Sequence, residues 1–274
     1  MSKIFPNKGI VNRIVVSKGT YAIFKKEIKG FLTSPNFLLV AALTATIMSW
    51  VFPNMLRMFD IQAKSAQFGG AQGPSQALNI HYGLFLRHLS YVNLILIFIV
   101  PALTMKLFSE EKKLKTFDLL LTSPVTSAQI VTGKLLAALS AVGVVMLVTL
   151  LYPISTRTFA EFSWSTLLVA YLGIFLVAAV YTSMDLFCSS LTESGILAYV
   201  LAVILNVFIW FIGMGVDVVD SSLARAIFEH ISLNQHLSGM VEGTLRTTGL
   251  IYFSSLIFLF GFLAERVVES ARWR

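Results

Sequence analysis

Cysteine and charge are both scarce in this chain. Cys188 is the only cysteine of the 274 residues, so no disulfide within the chain can form and no cysteine-based zinc cluster exists. It lies near the end of an apolar run and reads as a small buried side chain. Charged residues make up 13% of the sequence against 56% hydrophobic, whereas soluble domains carry about 25% charged residues. With a mean hydropathy of +0.79, the chain has too little polar surface to cover itself, and lipid must solvate much of it. The net charge of +7 is not arranged as a basic face with aromatics interleaved, which excludes nucleic acid as a partner.

Catalytic constellations are missing too. Gly133-Lys134 is followed by Leu135 rather than Ser or Thr, and no glycine precedes it at phosphate-loop spacing. The chain is therefore not expected to hydrolyse ATP or to bind a cofactor. Glu110-Glu111 is similar to a paired-glutamate protease motif, but Lys115 stands where that motif has arginine. No nucleophilic serine with a base is visible inside an apolar run. His81, His88, His230 and His236 all fall on one side, outside the expected spans, and read as interfacial side chains with no metal assigned to them.

What is present is a series of long apolar runs. A membrane-spanning helix needs roughly 20 mostly apolar residues, and six stretches approach this: 37–56, 92–107, 135–152, 167–187, 196–216 and 250–263. The runs are continuous rather than alternating, which favours helices over a barrel. The expected fold is therefore all-α, a polytopic bundle of six transmembrane helices forming one domain. A basic segment (1–36) precedes the bundle (37–263), and a short tail (264–274) follows it. The first apolar run begins after that basic segment, so the N-terminus does not read as a cleavable signal. Pro101 inside the second span predicts a kink, and Gly69-Gly70 and Gly73-Pro74 predict a flexible loop tip. Neither an internal repeat nor an inverted symmetry of spans is visible.

Basic residues orient the spans. Lys3, Lys8, Arg13, Lys18, Lys25, Lys26 and Lys29 precede the first. Lys106, Lys112, Lys113, Lys115 and Lys134 lie between the second and third, and Arg266, Arg272 and Arg274 follow the sixth. Only Arg57, Lys64, Arg87, Arg157, Arg225 and Arg246 fall on the other side. The richer side is expected to be cytoplasmic, with both termini on it.

Three segments outside the spans are informative. Residues 14–33 interleave Val15, Ile23, Phe24, Ile28 and Phe31 with Lys18, Lys25, Lys26 and Lys29, a mixture suited to a helix lying in the membrane interface. Ser34-Pro35 breaks it. The second segment, 108–134, crowds charges at Glu110, Glu111, Lys112 and Lys113 and apolar residues after Phe117. It fits either a short amphipathic helix that docks a soluble partner or a solvated basic loop. Thr126 and Gln129 form a capping-box pattern opening the next helix. The third, 216–249, repeats Leu223, Ile227 and Ile231, then Leu233, Leu237 and Val241, at helical spacing. Two short external helices, dipping into the leaflet or packed on the bundle, fit it.

The run Glu110-Glu111-Lys112-Lys113, then Thr116-Phe117-Asp118-Leu119-Leu120-Leu121-Thr122-Ser123-Pro124-Val125, then Gly133-Lys134, resembles the signature between the second and third spans of type-2 ABC exporter permeases. Lys26-Glu27-Ile28 through Phe31 and Ser34-Pro35 resemble that family's membrane-entering helix. Ser232-Leu233-Asn234-Gln235-His236, Gly243 and the close from Glu269 to Arg272-Trp273 resemble its gliding-motility-type branch. Departures are Leu114-Lys115 where the family often has glycine, and Asp118 for its usual glutamate. The resemblance implies a six-helix permease subunit of the bacterial inner membrane. It implies a second permease copy or a related one as partner, with ATP and magnesium on separate ATPase subunits. It further implies a cytoplasmic coupling helix at Glu110, Glu111, Lys112, Lys113, Thr116, Phe117 and Asp118, and re-entrant helices between the last two spans.

Other classes stay open on the residues alone. A transporter or channel driven by an ion gradient needs polar groups inside the membrane, and Asp185, Asn206 and Lys106 are available. A membrane scaffold for motility or envelope functions needs none.

Overall fold

The computed structural model describes residues 8–68, 79–213 and 221–272, helices and their connections with no strand among them. In chain order the helices are α1 (Lys8–Thr33), α2 (Pro35–Phe68), α3 (Leu86–Thr104), α4 (Lys106–Lys113), α5 (Phe117–Thr122), α6 (Ser127–Ser155), α7 (Trp164–Leu191), α8 (Gly195–Phe211), α9 (Ser222–Ile231), α10 (Leu233–Val241) and α11 (Thr247–Ala271). A π-helical turn, His81–Phe85, runs into α3. The stretches expected as loop tip and tail end, Gly69 to Pro74 and Trp273, lie outside the described residues, as does Val216.

Among the described residues five helical stretches are long and apolar enough to cross a membrane: Pro35–Ser65, His81–Lys113, Ser127–Thr158, Trp164–Leu191 and Thr247–Ala271. Gly195–Phe211 is apolar but shorter. The bundle is polytopic and helical, and its layering follows from composition. In α7 the most apolar window is 72% buried, whereas that of α11 is 17% buried. A helix apolar all round belongs in the middle, and α7 touches α3, α6, α8, α10 and α11. The rim helices α2 and α11 leave Leu39, Trp50, Ile251 and Phe258 exposed, as helices facing lipid or another subunit do.

Several boundaries differ from expectation, each for a packing reason. The second span, expected at 92–107, begins earlier: the helical stretch from His81 to Lys113 contains an apolar window long enough to cross a membrane, and the charged Lys106–Lys113 forms its end. His88 is therefore inside a span rather than outside the spans. Its Nε2 lies 2.9 Å from the Tyr171 hydroxyl, which itself donates to the Thr149 carbonyl at 3.1 Å. Asn93 Oδ1 accepts from Tyr181 at 3.5 Å. A partner on α7 lets each polar side chain stay buried, which hydropathy alone cannot register. The helix passes Pro101 and is interrupted by one residue, Met105, whose N–H bonds to the Pro101 carbonyl at 2.9 Å. The first segment outside the spans is one helix from Lys8, and it ends at Thr33 with Pro35 opening α2, the position a helix tolerates proline best. The last span likewise extends beyond 250–263 at both ends.

Candidate functional site

The family-like segment between the second and third spans is not one helix. Residues Lys106–Lys113 continue the second span as α4, and the chain then reverses through Lys115, whose φ of 55° is a left-handed conformation that a lysine adopts only under constraint. The six-residue α5 follows, and Thr126 opens α6. The capping box anticipated there forms in full: the Thr126 side chain accepts from Gln129 N at 3.3 Å, and Gln129 Oε1 accepts from Thr126 N at 2.8 Å. What was expected as a long loop is thus a compact corner of about a dozen residues between two spans.

Lys134 is the centre of that corner. It is 1% exposed, yet its ammonium lies 3.0 Å from Glu27 Oε1, 3.0 Å from Glu111 Oε2 and 2.7 Å from the Leu107 carbonyl. The Glu27 and Leu107 contacts are hydrogen bonds. The Glu111 contact is an ion pair that misses hydrogen-bond alignment. The same nitrogen sits 5.2 Å from the centre of the Phe108 ring. Lys26 closes the group from outside, 3.3 Å from Glu111 Oε1 and 3.6 Å from Glu27 Oε1. Partial burial would lower the Lys26 pKa, but Glu111 and Glu27 outweigh it and hold it above the ordinary lysine value. Four charges of balanced sign therefore join α1, α4 and α6.

Glycine lets these helices approach. A Cβ on Gly133 would lie 2.9 Å from the Ile23 side chain and 3.1 Å from the Thr20 carbonyl, and one on Gly19 would lie 3.1 Å from Gln129 Oε1. Without this close crossing of α1 and α6, Lys134 could not reach Glu27. Around the charges lies an apolar cluster that includes Ile23, Leu107, Phe108, Phe117, Ile130 and Val268. The end of α11 clasps the same corner: Arg272 Nη2 donates to the Val125 carbonyl at 2.6 Å and Ser127 donates to Glu269.

The seven residues expected to couple to a partner divide into two sets. Glu110, Lys113, Thr116 and Asp118 are exposed. Glu111, Lys112 and Phe117 turn inward: Glu111 pairs with Lys134 and Lys26, Lys112 donates to the Ser190 carbonyl and lies 5.4 Å from the Phe117 ring, and Phe117 packs edge-on against Phe108. These three hold the corner, with Phe117 buried and Glu111 and Lys112 half-buried. The reading of residues missed two others. Leu114 is 64% exposed and Leu119 72% exposed, on either side of the Lys115 turn. Both are apolar side chains left uncovered in a charged corner.

Asp185 and Asn206, on α7 and α8, do come together in the core. Asp185 is fully buried. Its Oδ2 accepts from Thr104 at 3.4 Å, while Oδ1 and both polar atoms of Asn206 lack a well-aligned partner. Lys106 is exposed and contributes nothing to that site. The histidines disperse: His81 contacts the Val241 carbonyl at 2.7 Å, His88 meets Tyr171, and only His230 and His236 are neighbours, with ring centres 6.1 Å apart. Among the described residues no three His, Cys, Asp or Glu side chains form a group able to hold a metal.

Comparison with curated proteins gives no match. Residues 21–262, which span α1 to α11 and so include the Lys134 corner, match the family described as ABC-2 family transporter protein, and the chain belongs to that family of membrane transport components.

Proposed function

We propose that this chain is the permease subunit of an ATP-driven exporter of the bacterial inner membrane, with both termini and the Lys134 corner in the cytoplasm. Two permease copies, or one copy and a related chain, form the pathway, and separate ATPase subunits carry ATP and magnesium. In this reading it stands nearest the gliding-motility-type branch, supported by the likeness of Ser232–His236, Gly243 and the close from Glu269 to Arg272-Trp273.

The observation that carries the proposal is the pairing of an exposed apolar tip with a buried ionic anchor. Leu114 and Leu119 offer the contact, and Glu110, Lys113 and Asp118 ring it with charge. Glu111, Lys112 and Phe117 tie the tip to α1, α6 and α7. A push on the tip is delivered to three helices at once, which is what a coupling element between an ATPase and a permease must do. Interface centres are apolar with charged rims, and this corner has that layout.

Affinity purification of the tagged full chain from mild detergent tests it. A co-purifying protein with a phosphate-binding loop, lost when Leu114 and Leu119 are both changed to Asp, is the expected result. Retention of that partner by the double variant contradicts the placement.

A second reading, transport driven by an ion gradient, draws on the partly unpartnered Asp185 beside Asn206, because buried carboxylates in membranes mark ion or proton paths. Transport that survives removal of ATP but is abolished by Asp185→Asn would favour it.

A further inference from the structure

At the end of the bundle opposite Lys134, α9, α10 and the start of α11 enclose a cavity of about 330 Å³, within the range of small-molecule sites. Glu229, His230, Gln235, His236, Arg246 and Thr248 line it. Glu229 is neutralised by Arg225, whose Nε is 3.3 Å away. Arg246 has no such partner: among the described residues no carboxylate lies within ion-pair distance of it. Among the described residues the cavity thus holds one guanidinium, on an exposed arginine, with no carboxylate paired to it.

The surrounding geometry leaves that cation room at the cavity. The Thr244 N–H and hydroxyl both donate to the Gly239 carbonyl, at 2.8 and 2.7 Å, which pins the link between α10 and α11. A Cβ on Gly239 would lie 3.4 Å from Arg246 Nε, so the bare glycine leaves the arginine room to cross α10. His236 is fixed as well. Its ring stacks on Tyr252 with centres 3.8 Å apart and planes 9° from parallel, and its Nδ1 is 3.0 Å from the Ser232 carbonyl. A carbonyl accepts only from an N–H, so Nδ1 carries the hydrogen and Nε2 is the nitrogen left over.

The border of the cavity is apolar. Ala226 and His230, one turn apart on α9, face it, while Leu223, Ile227 and Ile231 form an exposed ridge about 100° around the same helix. Ile251 is exposed on the α11 side. A polar pocket with a free guanidinium, edged by exposed aliphatic side chains, matches a ligand that has an anionic head and an apolar tail.

We infer that this cavity binds the phosphate-bearing headgroup of an amphiphile, with Arg246 donating to phosphate oxygens, His230, His236 and Thr248 around it, and the apolar portion along Leu223, Ile227 and Ile231. Guanidinium presents the paired donors that a phosphate accepts, and aliphatic ridges of this kind lie in the acyl region of a leaflet. The inference stands apart from the coupling role proposed for the other end, since no residue is shared.

The test is native mass spectrometry of the full chain released from a neutral detergent, titrated separately with phosphatidylglycerol, phosphatidylcholine of equal chain length and inorganic phosphate. One phosphatidylglycerol is expected to be retained at a concentration about tenfold below that needed for phosphatidylcholine. Arg246→Gln should remove that preference, since a lost charged hydrogen bond corresponds to about tenfold or more in affinity. Arg157→Gln, at a cation of the same end that lies over Phe162, should leave it intact. Inorganic phosphate displacing the lipid at equal concentration would keep the anion chemistry and overturn the amphiphile. An unchanged preference in Arg246→Gln, or equal loss in Arg157→Gln, would overturn the site. Should Arg246→Gln fail to fold, His230→Gln, at an exposed side chain, must weaken retention, and no change there overturns the inference as well.

Discussion

At one end of the bundle Lys134 gathers Glu27, Glu111 and the Leu107 carbonyl, whereas at the other His88, Tyr171 and the Thr149 carbonyl are joined through neutral groups. Both arrangements bury polar atoms between helices, but they differ in what happens when they are pulled. Removing one member of a buried ion cluster strands the opposite charges, whereas removing a neutral hydroxyl strands only a dipole. The charged end therefore behaves as one body, with α1, α4 and α6 moving together. The neutral end can exchange hydrogen-bond partners at lower cost. The coupling proposed above, a push at the charged end and opening at the neutral one, would draw on that asymmetry.

The largest effect that breaks the comparison is Lys134→Met. It leaves Glu27 and Glu111 with only the exposed Lys26 as their cation and should cost about 3 kcal/mol, read as a large fall in the thermal unfolding midpoint of the purified chain. The double variant Lys134→Met with Glu111→Gln should lose less than the two single losses added together, because the groups share one network. Gly133→Ala comes next. The new methyl meets Ile23 at 2.9 Å, and such overpacking costs about 1–3 kcal/mol; shortening Ile23 to Ala in the same chain should return part of it. At the neutral end, Tyr171→Phe removes a hydroxyl that serves both His88 and Thr149 and should cost about 1–2 kcal/mol. A cost equal to that of Lys134→Met would erase the distinction between the ends. The smallest effect on stability belongs to Leu114→Asp with Leu119→Asp. Both side chains are exposed, so the unfolding midpoint should stay within about 0.5 kcal/mol of the parent while association with the ATPase is lost.

How much of this was legible before the structure depends on how far apart the partners lie in the chain. The Thr126–Gln129 capping box joins residues three apart, and its pattern was readable. The apolar runs were readable for the same reason, since hydropathy is a local property. The second span was read too short because Arg87, His88 and Ser90 lower the local hydropathy before Val92, and the partner that lets His88 stay buried is Tyr171, more than 80 residues away in the chain. The Lys134 cluster was not readable at all. Glu27 lies 107 positions away, and nothing in a run of Lys and Glu tells which face solvent. Glu110 and Glu111 show this most sharply: adjacent carboxylates, one exposed and one paired with Lys134, separated only by the turn of a helix. The one local hint was Gly133-Lys134 within an apolar run, where a lysine must find a partner and a glycine permits a neighbour to come close.

The claim that the α4–α5 corner receives a push from a separate ATPase is tested most directly by contact in the intact membrane. A photo-crosslinking residue placed at Leu119, with a second chain carrying it at Leu223 on the opposite end, would be irradiated in cells. The account predicts an adduct at position 119 with a protein that contains a phosphate-binding loop, and no such adduct at position 223. An ATPase adduct at 223 and none at 119 would contradict both the coupling surface and the orientation of the bundle.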